Sequence, residues 1–142
     1  PNFVSLAAKL EVSRNSLEEY FTFMEDAGLI ARLRDQVSGI IGLGKVDKVY
    51  LDNSSLIYFL SENKPEIGNI RETFFLNQMR VNHSVVSSAV ADFKIDRFTF
   101  EVGGKSKSQQ QINSTANAFI VKDNIEYGYH NVLPLWAFGL NY

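Results

Sequence analysis

The first apolar pattern along the chain is short and helical: Val4, Leu6, Ala7, Ala8 and Leu10 recur on one side of the segment Val4 to Leu10. Glu11 to Asn15 then makes a polar corner, with Ser13 placed to cap a second helix. In that helix Leu17, Tyr20, Phe21, Met24 and Ala27 are spaced 3, 1, 3 and 3 apart, which predicts one buried face. Gly28 stands where a helix stops on a left-handed residue. Leu29 to Arg34 alternates as a strand does. Gly39, Gly42 and Gly44 mark a loop, and Lys48-Val49-Tyr50-Leu51 reads as a second strand.

The pattern changes after Asp52-Asn53. Ser54 to Leu60 predicts a short helix with serine caps, and Glu62 to Pro65 is a polar break. Ile67 to Arg80 predicts a longer helix with Ile67, Ile70, Phe74, Phe75 and Met79 inward. Val85 to Ala89, Ala91 to Ile95 and Phe98 to Val102 read as strands, the last two joined by a turn at Asp96-Arg97. Ser106 to Ile112 reads as a short helix, Ala118 to Val121 as a strand, and Leu133 to Leu140 as a closing apolar segment carrying Trp136. Phe98 and Phe100 share a strand face, so core packing is expected for them rather than base stacking. Phe93, Tyr127 and Tyr129 are the other aromatics that stacking would use, and Trp136 is expected in the core or against another domain.

Composition narrows the classes. No apolar run reaches the roughly 20 residues of a bilayer span, and Pro1-Asn2-Phe3-Val4-Ser5 has neither an initiator Met nor a signal-peptide pattern. The segment reads as a cut through a longer cytoplasmic chain. With no cysteine, disulfides and thiolate chemistry are excluded. His83 and His130 are too far apart in sequence to suggest a zinc site. Up to Asp52 there are 6 basic and 8 acidic residues, and beyond it 8 of each, so neither part grips nucleic acid by bulk charge.

Helix, helix, strand, glycine-containing loop and strand make the order of a winged helix-turn-helix over residues 1–52. Arg14 and Asn15 stand at the start of the second helix, where a groove-reading helix exposes such residues. Glu18, Glu19, Glu25 and Asp26 follow them and would be repelled by phosphate, which favours a packing or interdomain role for this helix. Arg32, Arg34, Lys45 and Lys48 of the wing are the better candidates for phosphate contact.

In residues 53–142 the chemistry-bearing set is Glu72, Asp92, Glu101 and Lys105. Residues two apart on a strand share a face, so Glu101, Gly103 and Lys105 point one way if the strand continues. Asp92 lies on the neighbouring strand. Such carboxylates can hold Mg²⁺, which prefers oxygen ligands, and an ammonium nearby can stabilise charge developing on a phosphate. Glu72 from the preceding helix would complete the site. Lys105, Lys107 and Gln109 to Gln111 form a polar run able to meet a backbone phosphate, or simply a solvated helix start.

The stretch Leu6 to Leu17, continuing through Glu25-Asp26-Ala27-Gly28-Leu29-Ile30, resembles bacterial winged helices, in which the second helix can enter a major groove. Tyr50-Leu51-Asp52-Asn53, Gly68 to Phe75, Ala91-Asp92-Phe93, Phe98 to Lys105, Asp123 to Gly128 and Leu133 to Gly139 together resemble the C-terminal region of bacterial and archaeal AAA-family ATP-binding proteins, a region of unknown function. That resemblance implies an upstream ATPase module of the same chain, a winged helix, and a restriction-endonuclease-like PD-(D/E)XK fold. The phosphate-cradling G-x-x-x-x-G-K-[ST] loop is absent from these residues, so ATP would belong to the upstream module alone.

The nuclease motif requires an acidic residue, one spacer and Lys. Here Val102-Gly103-Gly104 separates Glu101 from Lys105, and Gly103 stands where the motif has Lys. Two glycines can also end the strand and carry Lys105 off the face. The expectation is therefore an α+β chain, a winged helix-turn-helix (1–52) followed by a small α/β nuclease-like domain (53–142). It would serve as an accessory region that engages nucleic acid or a protein partner, with no membrane, and with Asp92 and Glu101 as a relic rather than an active Mg²⁺ site. A metal-dependent nuclease and a pure protein-interaction module are the alternatives.

Overall fold

The computed structural model describes residues 2–35, 45–107 and 115–140. The chain is mixed α+β, with two sheets. It opens with α1 (Phe3–Lys9) and α2 (Arg14–Asp26), joined where the rings of Phe3 and Phe21 meet edge to face, centroids 5.1 Å apart. Both helices start on side-chain caps: Asn2 Oδ1 accepts the Ser5 amide, and Ser13 Oγ accepts the Ser16 amide. Gly28, at φ +68°, ends α2, and the amides of Gly28 and Leu29 turn back onto the carbonyls of Glu25 and Met24.

The one buried face expected for α2 forms only in part, with Leu17 buried and Phe21 and Met24 half-buried. Tyr20 is 48% exposed and Ala27 is exposed. The helix is covered by α1 and the first strand, two small neighbours that leave the flanks of an apolar stripe in solvent. That strand, β1 (Ile30–Arg34), pairs antiparallel with β2 (Val46–Leu51), with Ala31 opposite Tyr50 and Leu33 opposite Lys48. Gly39, Gly42 and Gly44 lie outside the described residues.

The cap of α3 (Ser54–Leu60) is Asn53 rather than a serine, since Asn53 Oδ1 accepts the Ser55 amide. No residue of α3 is buried, and Phe59 is 83% exposed. In α4 (Ile67–Met79) the inward residues are Thr73, Phe75, Leu76 and Met79. Ile67 is exposed instead, because the first turn of α4 faces α3 and Trp136 rather than the sheet.

The larger sheet runs in the order β3 (Val85–Ser87), β4 (Phe93–Ile95), β5 (Phe98–Gly103), β6 (Ala118–Lys122) and β7 (Val132–Pro134). The first three form an antiparallel meander, and β5, β6 and β7 are parallel. The turn between β4 and β5 places Asp96 at φ 52°. The closing apolar segment divides into β7 and a 3₁₀ helix (Leu135–Leu140), a split that a short apolar run does not announce. Of the short helix expected from Ser106, Ser106 lies in a turn, and residues 108–114 are outside the described ones.

Phe75 of α4 is the centre of the core. Its ring lies 5.2 Å from Phe93, 5.2 Å from Phe100 and 4.9 Å from Phe138. Burying such a side chain contributes about 1.5–3 kcal/mol. Ala31, Leu33 and Tyr50 of the hairpin belong to this same cluster, so the hairpin has its own sheet but no core of its own. A smaller cluster of Ala118, Ile120 and Val132 lies on the opposite side of the large sheet. Trp136 is not in the core of this chain: it is 57% exposed, and its indole N–H reaches the Glu126 carbonyl at 3.3 Å. Among the described residues no helix is long and apolar enough to cross a membrane.

Candidate functional site

Lys48 and Tyr50 are two apart on β2 and so share a face. The Tyr50 ring packs against Phe93, and its hydroxyl donates to Glu72 Oε2 at 2.6 Å. Lys48 Nζ donates to the same Glu72 oxygen and to Asp92 Oδ1, both at 3.2 Å. The other oxygen of Asp92 accepts the Val102 amide at 2.9 Å. Since β4 begins at Phe93, opposite Phe100, the carboxylate of Asp92 continues the ladder where the backbone of β4 has stopped. The hairpin, α4 and the sheet thus meet at one ammonium held between two carboxylates.

Burial alone would lower the pKa of Lys48, but the charges and hydrogen bonds of Glu72 and Asp92 outweigh it and hold the ammonium above the usual lysine range. Burial, then the hydrogen bond to Glu72, pushes the Tyr50 phenol up, so it stays a donor. Beside this cluster opens a cleft of about 530 Å³, lined by Lys48, Tyr50, Ile57, Asn69, Glu72 and Thr73.

Glu101 is elsewhere. Phe100 and Val102 belong to the aromatic cluster under α4, whereas Glu101 stands opposite Ile120, on the other face of the sheet. It is 4% exposed, and Lys107 Nζ lies 2.5 Å from its Oε1. The Lys107 side chain reaches it by lying across Gly103, where an added Cβ would stand 2.7 Å from Lys107 Cδ. A turn closed by the Lys107 amide on the Gly104 carbonyl, 2.9 Å, brings the lysine back. Lys105 is exposed, and its carbonyl accepts Lys122 Nζ at 3.1 Å.

The four candidates are therefore divided: Glu72 and Asp92 meet at Lys48, Glu101 pairs with Lys107, and the side chain of Lys105 points outward. Among the described residues no three His, Asp or Glu side chains converge as a metal ion would require. The donor set does not fit Mg²⁺ at Asp92 and Glu101 as placed, because the two carboxylates lie on opposite faces of the sheet. Lys48, expected on the wing as a phosphate contact, instead belongs to the carboxylates. Its alternation with Tyr50 was the available signal. Nothing in the spacing of Lys107 announces its return to Glu101, because the turn decides it.

The remaining basic candidates border a second cleft, about 580 Å³, between α2 and the hairpin; Arg14, Asn15, Arg32, Arg34 and Lys45 line it, with Glu18 and Glu19. Arg14 Nε bonds Glu18 at 2.9 Å. Arg32 is turned inward: its Nε and its backbone amide bond the two oxygens of Glu25 at 2.6 and 3.0 Å. Burial alone would raise the pKa of Glu25, but these bonds outweigh it and hold the carboxyl below its ordinary range.

No family model, curated protein or solved structure matches the chain.

Proposed function

We propose that this chain is an accessory region of an AAA-type ATPase, a winged helix joined to a nuclease-like α/β unit, which engages nucleic acid without cutting it. The motifs from Tyr50 to Gly139 support the link to an ATPase. Two helices followed by an antiparallel hairpin suit a winged helix, and α4 followed by the β3–β4–β5 meander and a parallel β6 suits the nuclease-like unit.

The observation that carries the non-cutting part is Lys48. Its ammonium stands between Glu72 and Asp92, where a catalytic metal would have to be, while Glu101 is neutralised on the other face. Nucleic acid engagement rests on the cleft in which Arg14, Arg34 and Lys45 converge. The acids of α2 border the same cleft, so contact is with phosphate and sequence-independent.

Fluorescence anisotropy with a labelled DNA duplex at several salt concentrations tests this reading. Binding is weak and steeply salt-dependent, and Arg34→Ala and Lys45→Ala each lower the salt slope by about 0.9. If Arg14→Ala abolished binding while Arg34→Ala left it unchanged, a groove-reading α2 would replace the phosphate contact. The convergence of Glu72 and Asp92 favours a metal-dependent nuclease as the second reading. Cleavage of DNA or RNA with Mg²⁺ or Mn²⁺, lost in both Asp92→Ala and Glu72→Ala with folding intact, would establish it.

A further inference from the structure

Lys122 ends β6 on the face of Glu101 and Ile120, next to Gly103 in the parallel register. It is 9% exposed. Among the described residues its ammonium has one hydrogen-bond acceptor, the neutral carbonyl of Lys105, and no carboxylate. Across Gly103 lies the side chain of Lys107, and the exposed Lys105 stands in the turn between them. The facing acid is Glu101, taken by Lys107. Asp123, the next residue, is held by Arg71 at 3.0 Å, and Arg71 lies beside Gly104. Glu101 is thus taken by Lys107, and among the described residues the more buried Lys122 has no carboxylate beside it. Burying an ammonium without a partner is costly, and an anion bound beside it recovers that cost.

We propose that the turn 103–107 and the end of β6 form a binding site for a phosphate-type oxyanion, held by Lys122 and Lys105 with Lys107 beside them. The ligand is tetrahedral and doubly or singly charged, because the surplus is two positive charges after Glu101 is paired. A free phosphate group and the phosphodiester of a nucleic acid present the same chemistry. The site is separate from the α2–hairpin cleft, and its failure would leave the reading of that cleft untouched.

Thermal unfolding of the chain in potassium phosphate, against potassium chloride at equal ionic strength, reads the site directly. A ligand at ten times its dissociation constant raises the folding equilibrium constant about elevenfold. Phosphate should therefore raise the midpoint above the chloride value. Lys122→Met should unfold at a higher midpoint than the natural chain in chloride, since it removes an unpaired buried charge, and should no longer respond to phosphate. Lys105→Ala, at an exposed position, should fold normally and weaken the phosphate response about tenfold. Equal midpoints in phosphate and chloride for the natural chain, or an undiminished phosphate response in both variants, would overturn the proposal. Anisotropy with a labelled duplex separates the sources. A loss of DNA affinity in Lys105→Ala, with phosphate competing, assigns the phosphodiester; unchanged DNA affinity with the phosphate response intact in the natural chain assigns a free phosphate group.

Discussion

Gly103 shows how much one missing Cβ can decide. Its hollow admits the stem of Lys107, and the ammonium arrives on a carboxylate that β5 has buried. An added Cβ meets the Lys107 stem down to its own Cβ at 2.9 Å, so Gly103→Ala should push the turn that carries Lys107 back and expel the lysine. Glu101 would then be a buried charge without its partner, at a cost of about 3 kcal/mol by urea unfolding. Lys107→Met should cost a similar amount, and the double variant no more than either alone, because both remove one interaction. Additive losses would show that Gly103 acts through something other than Lys107. At Lys48 the same logic runs the other way: the lysine was legible as a basic residue, but its two carboxylate partners come from α4 and from the residue just before β4.

Between elements, the Glu25–Arg32 pair ties α2 to β1. The folded carboxyl lies below the ordinary glutamate value of about 4.5, so the unfolded chain takes up its proton first as the pH falls. The stabilisation is therefore present above about pH 4.5 and is lost as the pH drops through the folded value. Glu25→Gln should lower stability at pH 7 by about 1 kcal/mol, the partial exposure of the pair limiting the effect. It should also flatten the fall in stability on the acid side of pH 4.5. An acid limb of unchanged slope in the variant, followed by circular dichroism, would remove Glu25 from the account. The caps of α1 and α2 and the left-handed Gly28 fix where these helices begin and end, and they leave α2's exposed flank for whatever the cleft receives.

Over the whole molecule, one aromatic cluster joins the hairpin to α4 and the five-stranded sheet. A change in β1 should consequently be felt in β5. Leu33→Ala, at a fully buried position of that cluster, should cost about 2–4 kcal/mol. It should also lower hydrogen-exchange protection across β4, β5 and β6 together rather than in the hairpin alone. Loss of protection confined to residues before Asp52 would mean that the hairpin and the sheet open separately.

The sequence by itself determined the caps at Ser13 and Gly28, the strands β1, β2 and β4 to β6, and the aromatic content of the core. Each depends on local propensity or on a periodicity of two or 3.6 residues, which neighbours in the chain already carry. It also named Glu72, Asp92 and Glu101 as the acids of interest. Tertiary structure alone decided which of them meet. Alternation along β5 sends Glu101 away from α4, the start of β4 at Phe93 rather than Ala91 turns Asp92 into a ladder cap, and β2 delivers Lys48 between Glu72 and Asp92. These outcomes depend on strand register and on contacts between residues 24 and 44 positions apart. No local pattern encodes a distance of that kind, so the ion pairs that define the site became readable only once the sheet, the helix and the hairpin were packed together.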